Sequence, residues 1–208
     1  MSTIILASSG AYITEGDLSF LTKPINQMKI AWIVTASKGV TDLSYLDRHR
    51  ERMNELGYDY EKIDIDGKNE SELRDLLKNK DLVFVEGGNS FYLLKAIRQS
   101  HFDIVIRDLI DHGVVYIGSS AGAYVACPTI EMSAWRHDRY SHYDLKDLTG
   151  MGLVPFIVTV HYDPKSKEIL REKIRESKYP VKVLTDDQAM LVQDEAIRLI
   201  GKGEEIVL

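Results

Sequence analysis

Short apolar runs alternate along this chain with amphipathic segments of helical period, and that rhythm restricts the fold more than any other feature. Ile4–Ala7, Ile30–Thr35, Leu82–Glu86, Val114–Gly118 and Phe156–His161 have strand length and end on small or polar residues, and Asp59–Ile65 reads as an edge strand. Between them Leu43–Leu56, Glu70–Lys78, Phe91–Arg98, Ile104–Asp111 and Lys165–Ser177 carry helical patterns. Continuous apolar strands separated by helices predict an α/β fold, a three-layer arrangement with a mostly parallel sheet between helices. The closely spaced runs Val181–Leu184, Ala189–Val192, Ile197–Gly201 and Glu205–Leu208 have no helices between them and predict a short antiparallel C-terminal extension. No linker or internal repeat interrupts the pattern, so residues 1–208 are expected to form a single domain.

Composition narrows the function. A length of 208 residues, 44% hydrophobic and 28% charged, suits one soluble domain with a sizeable core. The formal charge of −6 argues against a nucleic-acid surface, and the basic stretches near Lys165–Lys178 are interleaved with Glu. The one cysteine, Cys127, cannot form an internal disulfide and fits a reducing compartment. No signal peptide or bilayer-length apolar run is visible, so a cytoplasmic protein without membrane contact is expected. Neither paired C-x-x-C nor H-E-x-x-H occurs, and neither a metal nor another cofactor is expected.

In a parallel α/β sheet, ligands bind beyond the carboxyl ends of the strands. Three such ends carry chemistry. Gly118-Ser119-Ser120-Ala121-Gly122 matches G-x-S-x-G after a strand and before a helix. That context would place Ser120 on a strained turn with its hydroxyl exposed, at a helix N-terminus whose N–H groups face a developing oxyanion. Gly87-Gly88-Asn89 lies at a second strand–helix junction, where backbone can approach a ligand closely; a tight turn with Asn89 or Ser90 as helix cap is the competing reading. Among the histidines, His161 ends an apolar strand and is the expected base. His49 lies in a charged helix and reads as solvent-facing, His101 and His112 as structural, and His137 and His142 as loop residues. Cys127 reads as buried packing rather than a second nucleophile.

These segments resemble the peptidase E (alpha-aspartyl dipeptidase) family, with cyanophycinase a more distant relative. The resemblance rests on Gly87-Gly88-Asn89-Ser90-Phe91, on Tyr116–Ala123, on Ala126-Cys127-Pro128-Thr129-Ile130 and on Val160-His161-Tyr162. It implies a serine peptidase on a sheet similar to that of class I glutamine amidotransferases, acting on short peptides, Asp-containing ones among them. A monomer or homodimer is expected. By position, Ser120 becomes the nucleophile, His161 the general base, and the backbone N–H groups of Gly88 and Ala121 the oxyanion hole. Asn89 and Arg171 are the expected substrate-binding residues, Arg171 for an aspartate carboxylate. The family's acid falls on Trp135 here. Glu131, Asp138 and Asp163 lie nearby, and Asp138 is the expected third member. The alternatives are a catalytically silent small-molecule binder that keeps the turn, and an esterase-type hydrolase.

Overall fold

The structure is a computed structural model that describes residues 2–135, 143 and 145–208. Seven strands form one sheet in the order β3-β2-β4-β5-β1-β8-β9. Five of them, β1 (Thr3–Ala7), β2 (Lys29–Ile33), β3 (Asp59–Ile63), β4 (Leu82–Val85) and β5 (Val115–Ser119), run parallel. The remaining two, β8 (Gln188–Gln193) and β9 (Ala196–Gly201), add antiparallel pairings beside β1.

The continuous apolar runs follow from burial on both faces. Successive strand residues point to opposite sides. Ile4 and Leu6 of β1 join Val83, Val85 and Tyr116 in a core under α3 (Glu70–Leu77), α4 (Ser90–Ser100), α5 (Phe102–Asp111) and α6 (Ala121–Ala126). Ile5 and Ala7 join Trp32, Phe84 and Ile117 on the other face, under α1 (Tyr12–Glu15) and α2 (Ser44–Glu55). Local signals set the helix starts. Asn69 and Glu72 form a reciprocal capping box at α3, and Asn89 Oδ1 accepts the N–H groups of Phe91 and Tyr92 at α4.

Two expectations need correction. The run containing His161 does not extend the main sheet. Its strand β6 (Ile157–Thr159) pairs in parallel with β7 (Val181–Val183) across α7 (Lys167–Glu176), forming a separate two-stranded sheet. Consequently Val181–Val183 is not part of the antiparallel extension, which β8 and β9 make alone. Beyond β9 an isolated antiparallel bridge joins Val183 to Ile206. Three-residue strands carry too few positions for periodicity to specify which sheet receives them.

Candidate active site

Ser120 stands between β5 and α6 with φ 49° and ψ −108°, a sparsely populated conformation for a residue with a Cβ. The small neighbours are required by close approach. A Cβ on Gly122 would lie 2.1 Å from the Val85 carbonyl oxygen, and one on Gly118 would lie 2.4 Å from the Gly122 carbonyl oxygen. Tyr116 Oη donates to that same Gly122 oxygen at 2.7 Å, tying β5 to the helix that begins behind the serine.

His161 follows β6, also at positive φ, 55°. Its Nε2 lies 3.1 Å from Ser120 Oγ, and its Nδ1 lies 2.5 Å from Asp186 Oδ1. Ser8, at the carboxyl end of β1, fastens this group. Its buried hydroxyl accepts the backbone N–H of His161 at 2.7 Å and donates to Asp186 Oδ1 at 2.9 Å. Serine, imidazole and carboxylate thus stand in line, the arrangement in which a hydroxyl can be deprotonated by an oriented histidine.

Asp186 was not among the sequence candidates. It occupies the turn between β7 and β8, 25 residues beyond His161. Because β8 runs antiparallel to β1, with Ala189 opposite Ala7, the turn entering β8 falls at the carboxyl end of β1. That pairing is the signal that would have found it. Asp138 lies outside the described residues. Trp135 is buried in the core, and Asp163 Oδ1 accepts the Lys165 N–H as a turn cap.

A cleft of about 560 Å³ opens in front of Ser120, its wall formed by Gly87, Gly88, Tyr45, Arg48, His49 and His161 among others. Gly88 holds φ 143°, and a Cβ there would lie 2.4 Å from the Ala36 carbonyl oxygen. Among the described residues, no group takes up the backbone N–H of Gly88 or of Ala121, the first residue of α6. Asn89 is fully buried, with Oδ1 committed to the cap of α4, so the structure places it behind the cleft rather than in it. Arg171 lies on α7 with Nη1 at 3.0 Å from Glu168 Oε1, and is not among the described residues that line the cleft. Cys127 is buried, and burial pushes its thiol up to about 12, which removes it as a nucleophile.

His49 departs from its expected place. It is not solvent-facing: its side chain is 12% exposed and its Nδ1 lies 2.8 Å from Glu86 Oε2. The sequence signal was present, since Leu46, His49 and Met53 share one helical stripe and both hydrophobic members are buried.

Among the described residues, no group of His, Cys, Asp and Glu could hold a metal ion, and no helix is long and apolar enough to cross a membrane.

The model of peptidase family S51 matches residues 4–200. A protein of Pasteurella multocida described as an uncharacterised peptidase is 30% identical over 198 residues, covering 94% of this chain and 95% of its own. A peptidase E of a Nostoc species is 29% identical over 214 residues, covering 95% of this chain and 85% of its own. The crystal structure of a candidate peptidase E protein from Listeria monocytogenes superposes with a TM-score of 0.82 at 24% identity, covering 98% of this chain and all (100%) of that one. The fold, the family match and the serine-centred cleft lead to one statement: this chain belongs to peptidase family S51, the peptidase E family, and is a serine-type peptidase.

Proposed function

We propose that the chain hydrolyses short peptides through an acyl-enzyme on Ser120, with His161 as base and Asp186 as the group that orients it. The observation that carries this reading is the 3.1 Å approach of His161 Nε2 to Ser120 Oγ, with Asp186 2.5 Å from the other ring nitrogen. In this reading the turn at Ser120 is a nucleophile elbow. Asp186 accepts the Nδ1–H, leaving Nε2 bare to take the serine proton as Oγ attacks the peptide carbonyl. The oxyanion of the tetrahedral intermediate lies against the N–H groups of Gly88 and Ala121, which have no competing acceptor among the described residues. The proton on Nε2 then passes to the leaving amine. Water, deprotonated by the same nitrogen, attacks the ester and returns Ser120.

The preferred substrate carries an acidic side chain. Arg48 and His49 line the cleft together with His161, and this supports an anionic group there. Replacement of Ser120 by Ala is the direct test. It is expected to lower kcat by about 10⁴-fold or more with the fold intact, and to abolish labelling by a fluorophosphonate probe. Undiminished hydrolysis by Ser120→Ala would remove Ser120 from the mechanism.

A further inference from the structure

Glu86 follows the last residue of β4 and points its carboxylate into the protein, where the side chain is 1% exposed. Four donors surround it. Oε1 accepts the Gly87 N–H at 2.9 Å and the Ser119 hydroxyl at 3.0 Å. Oε2 accepts Trp32 Nε1–H at 3.1 Å and faces His49 Nδ1 at 2.8 Å. A carboxylate withdrawn from water needs a compensating charge or it destabilises the fold. Trp32, Ser119 and Gly87 offer neutral donors, so among these contacts His49 is the group that can carry a positive charge.

The ring of His49 is held in one orientation. Nδ1 is fixed by Glu86, the Tyr45 ring stands edge-on at a centroid distance of 6.0 Å, and Gly10 closes over Cε1, so that a Cβ there would lie 2.3 Å away. Nε2 takes part in no hydrogen bond with the described residues, and the ring lines the cleft that holds Ser120. With Nδ1 held by Glu86, Nε2 is the ring nitrogen left to meet a ligand, with Arg48 beside it in the wall and Asp42 as the exposed acid of the same wall. Glu86 also couples this nitrogen to the reacting groups. Its Oε1 binds the residue before Gly88 on one side and the residue before Ser120 on the other.

We propose that His49, oriented by Glu86, is a specificity-determining residue whose Nε2–H holds the acidic side chain of a peptide bound at Ser120. This rests on reading the cleft as a peptidase site, and it moves recognition of the acid from α7 to α2.

Binding separates the two ideas, because it needs no turnover. Asp-Leu and Asn-Leu differ in one carboxylate, and their affinities for the full chain bearing Ser120→Ala can be measured by titration calorimetry. Ser120→Ala alone is expected to favour Asp-Leu by about tenfold or more. Adding His49→Asn keeps an N–H in the place of Nδ1 for Glu86 but removes Nε2, and should bring the preference within about threefold. Glu86→Gln removes the charge at nearly constant volume, and is expected to reduce the same preference. Absence of a preference in Ser120→Ala, or its full retention in either folded double variant, overturns the assignment. If the wild type is neither labelled by fluorophosphonate nor able to cleave Asp-Leu, the peptidase mechanism falls while the binding result still decides the role of His49.

Discussion

Two histidine–carboxylate pairs flank the same serine, and they differ in almost everything except the contact itself. His161 and Asp186 sit on a strand exit and a turn, with side chains 46% and 64% exposed. His49 and Glu86 sit on α2 and at the end of β4, with side chains 12% and 1% exposed. An exposed pair contributes little to stability, because water solvates either partner when the other is lost. A buried pair is costly to break, since the surviving charge has nowhere to go. The first pair is thus free to be tuned for proton transfer, while the second is welded to the sheet and can hold only a fixed orientation.

The largest effect that this contrast predicts is kinetic. Asp186→Asn removes the acceptor at Nδ1 and favours the wrong tautomer, so kcat should fall by about 10³- to 10⁴-fold. The melting temperature should barely move, because the replaced carboxylate is already in water. A variant that loses its fold together with its activity would place Asp186 among the structural residues and break the contrast.

Glu86→Ala should give the opposite profile. It leaves the donors of Trp32, Ser119 and Gly87, and the imidazole of His49, without their acceptor. Removal of one partner from a buried pair costs about 3–5 kcal/mol, which chemical denaturation with urea would read as a lower midpoint. A loss below about 1 kcal/mol would mean that the buried pair carries no more stability than the exposed one.

How far these pairs could be read from residues alone also differs. Ser120 and Gly88 were legible because tight turns demand tiny side chains at fixed offsets, a local requirement. The five parallel strands were legible because burial on both faces leaves unbroken apolar runs. His49 was legible in principle, through its spacing from Leu46 and Met53, but two charged neighbours before it (Asp47, Arg48) and three after it (Arg50, Glu51, Arg52) masked the stripe. Asp186 was not. Its place depends on which strand β8 joins and in which direction, a long-range pairing that no local period encodes. The detachment of β6 and β7 from the main sheet is the same kind of fact.

A milder substitution sharpens the comparison from the side of the ring. In Gly10→Ala the new methyl would meet His49 Cε1 at 2.3 Å and Glu86 Oε1 at 2.5 Å, so the buried pair must shift. Overpacking of this kind costs about 1–3 kcal/mol. The aspartate preference should fall with it, because Nε2 moves. Near-wild-type stability with the preference unchanged would show that the ring has room to adjust, against the fixed orientation inferred above.

The smallest effect belongs to a third set of carboxylates, half-buried and paired with lysine rather than histidine. Asp66 accepts the Tyr92 hydroxyl at 2.6 Å and lies 2.9 Å from Lys38 Nζ, and these contacts, the phenol first and the ammonium second, hold its carboxyl below the usual carboxylate range. The lysine bridges to Asp64 as well and is itself pushed above its ordinary value by the two acids. A carboxyl lowered by folding stabilises the protein above the unfolded value of about 3.9, and that contribution disappears as the pH falls through the folded value. Asp66→Asn should therefore cost about 1 kcal/mol or less at pH 7, since the pair is partly in water. Urea midpoints of the two proteins should converge as the pH falls through the lowered folded value, since wild-type Asp66 is then neutral as well. A constant gap between the two curves down to acid pH would assign the effect to the altered side chain itself and not to its charge.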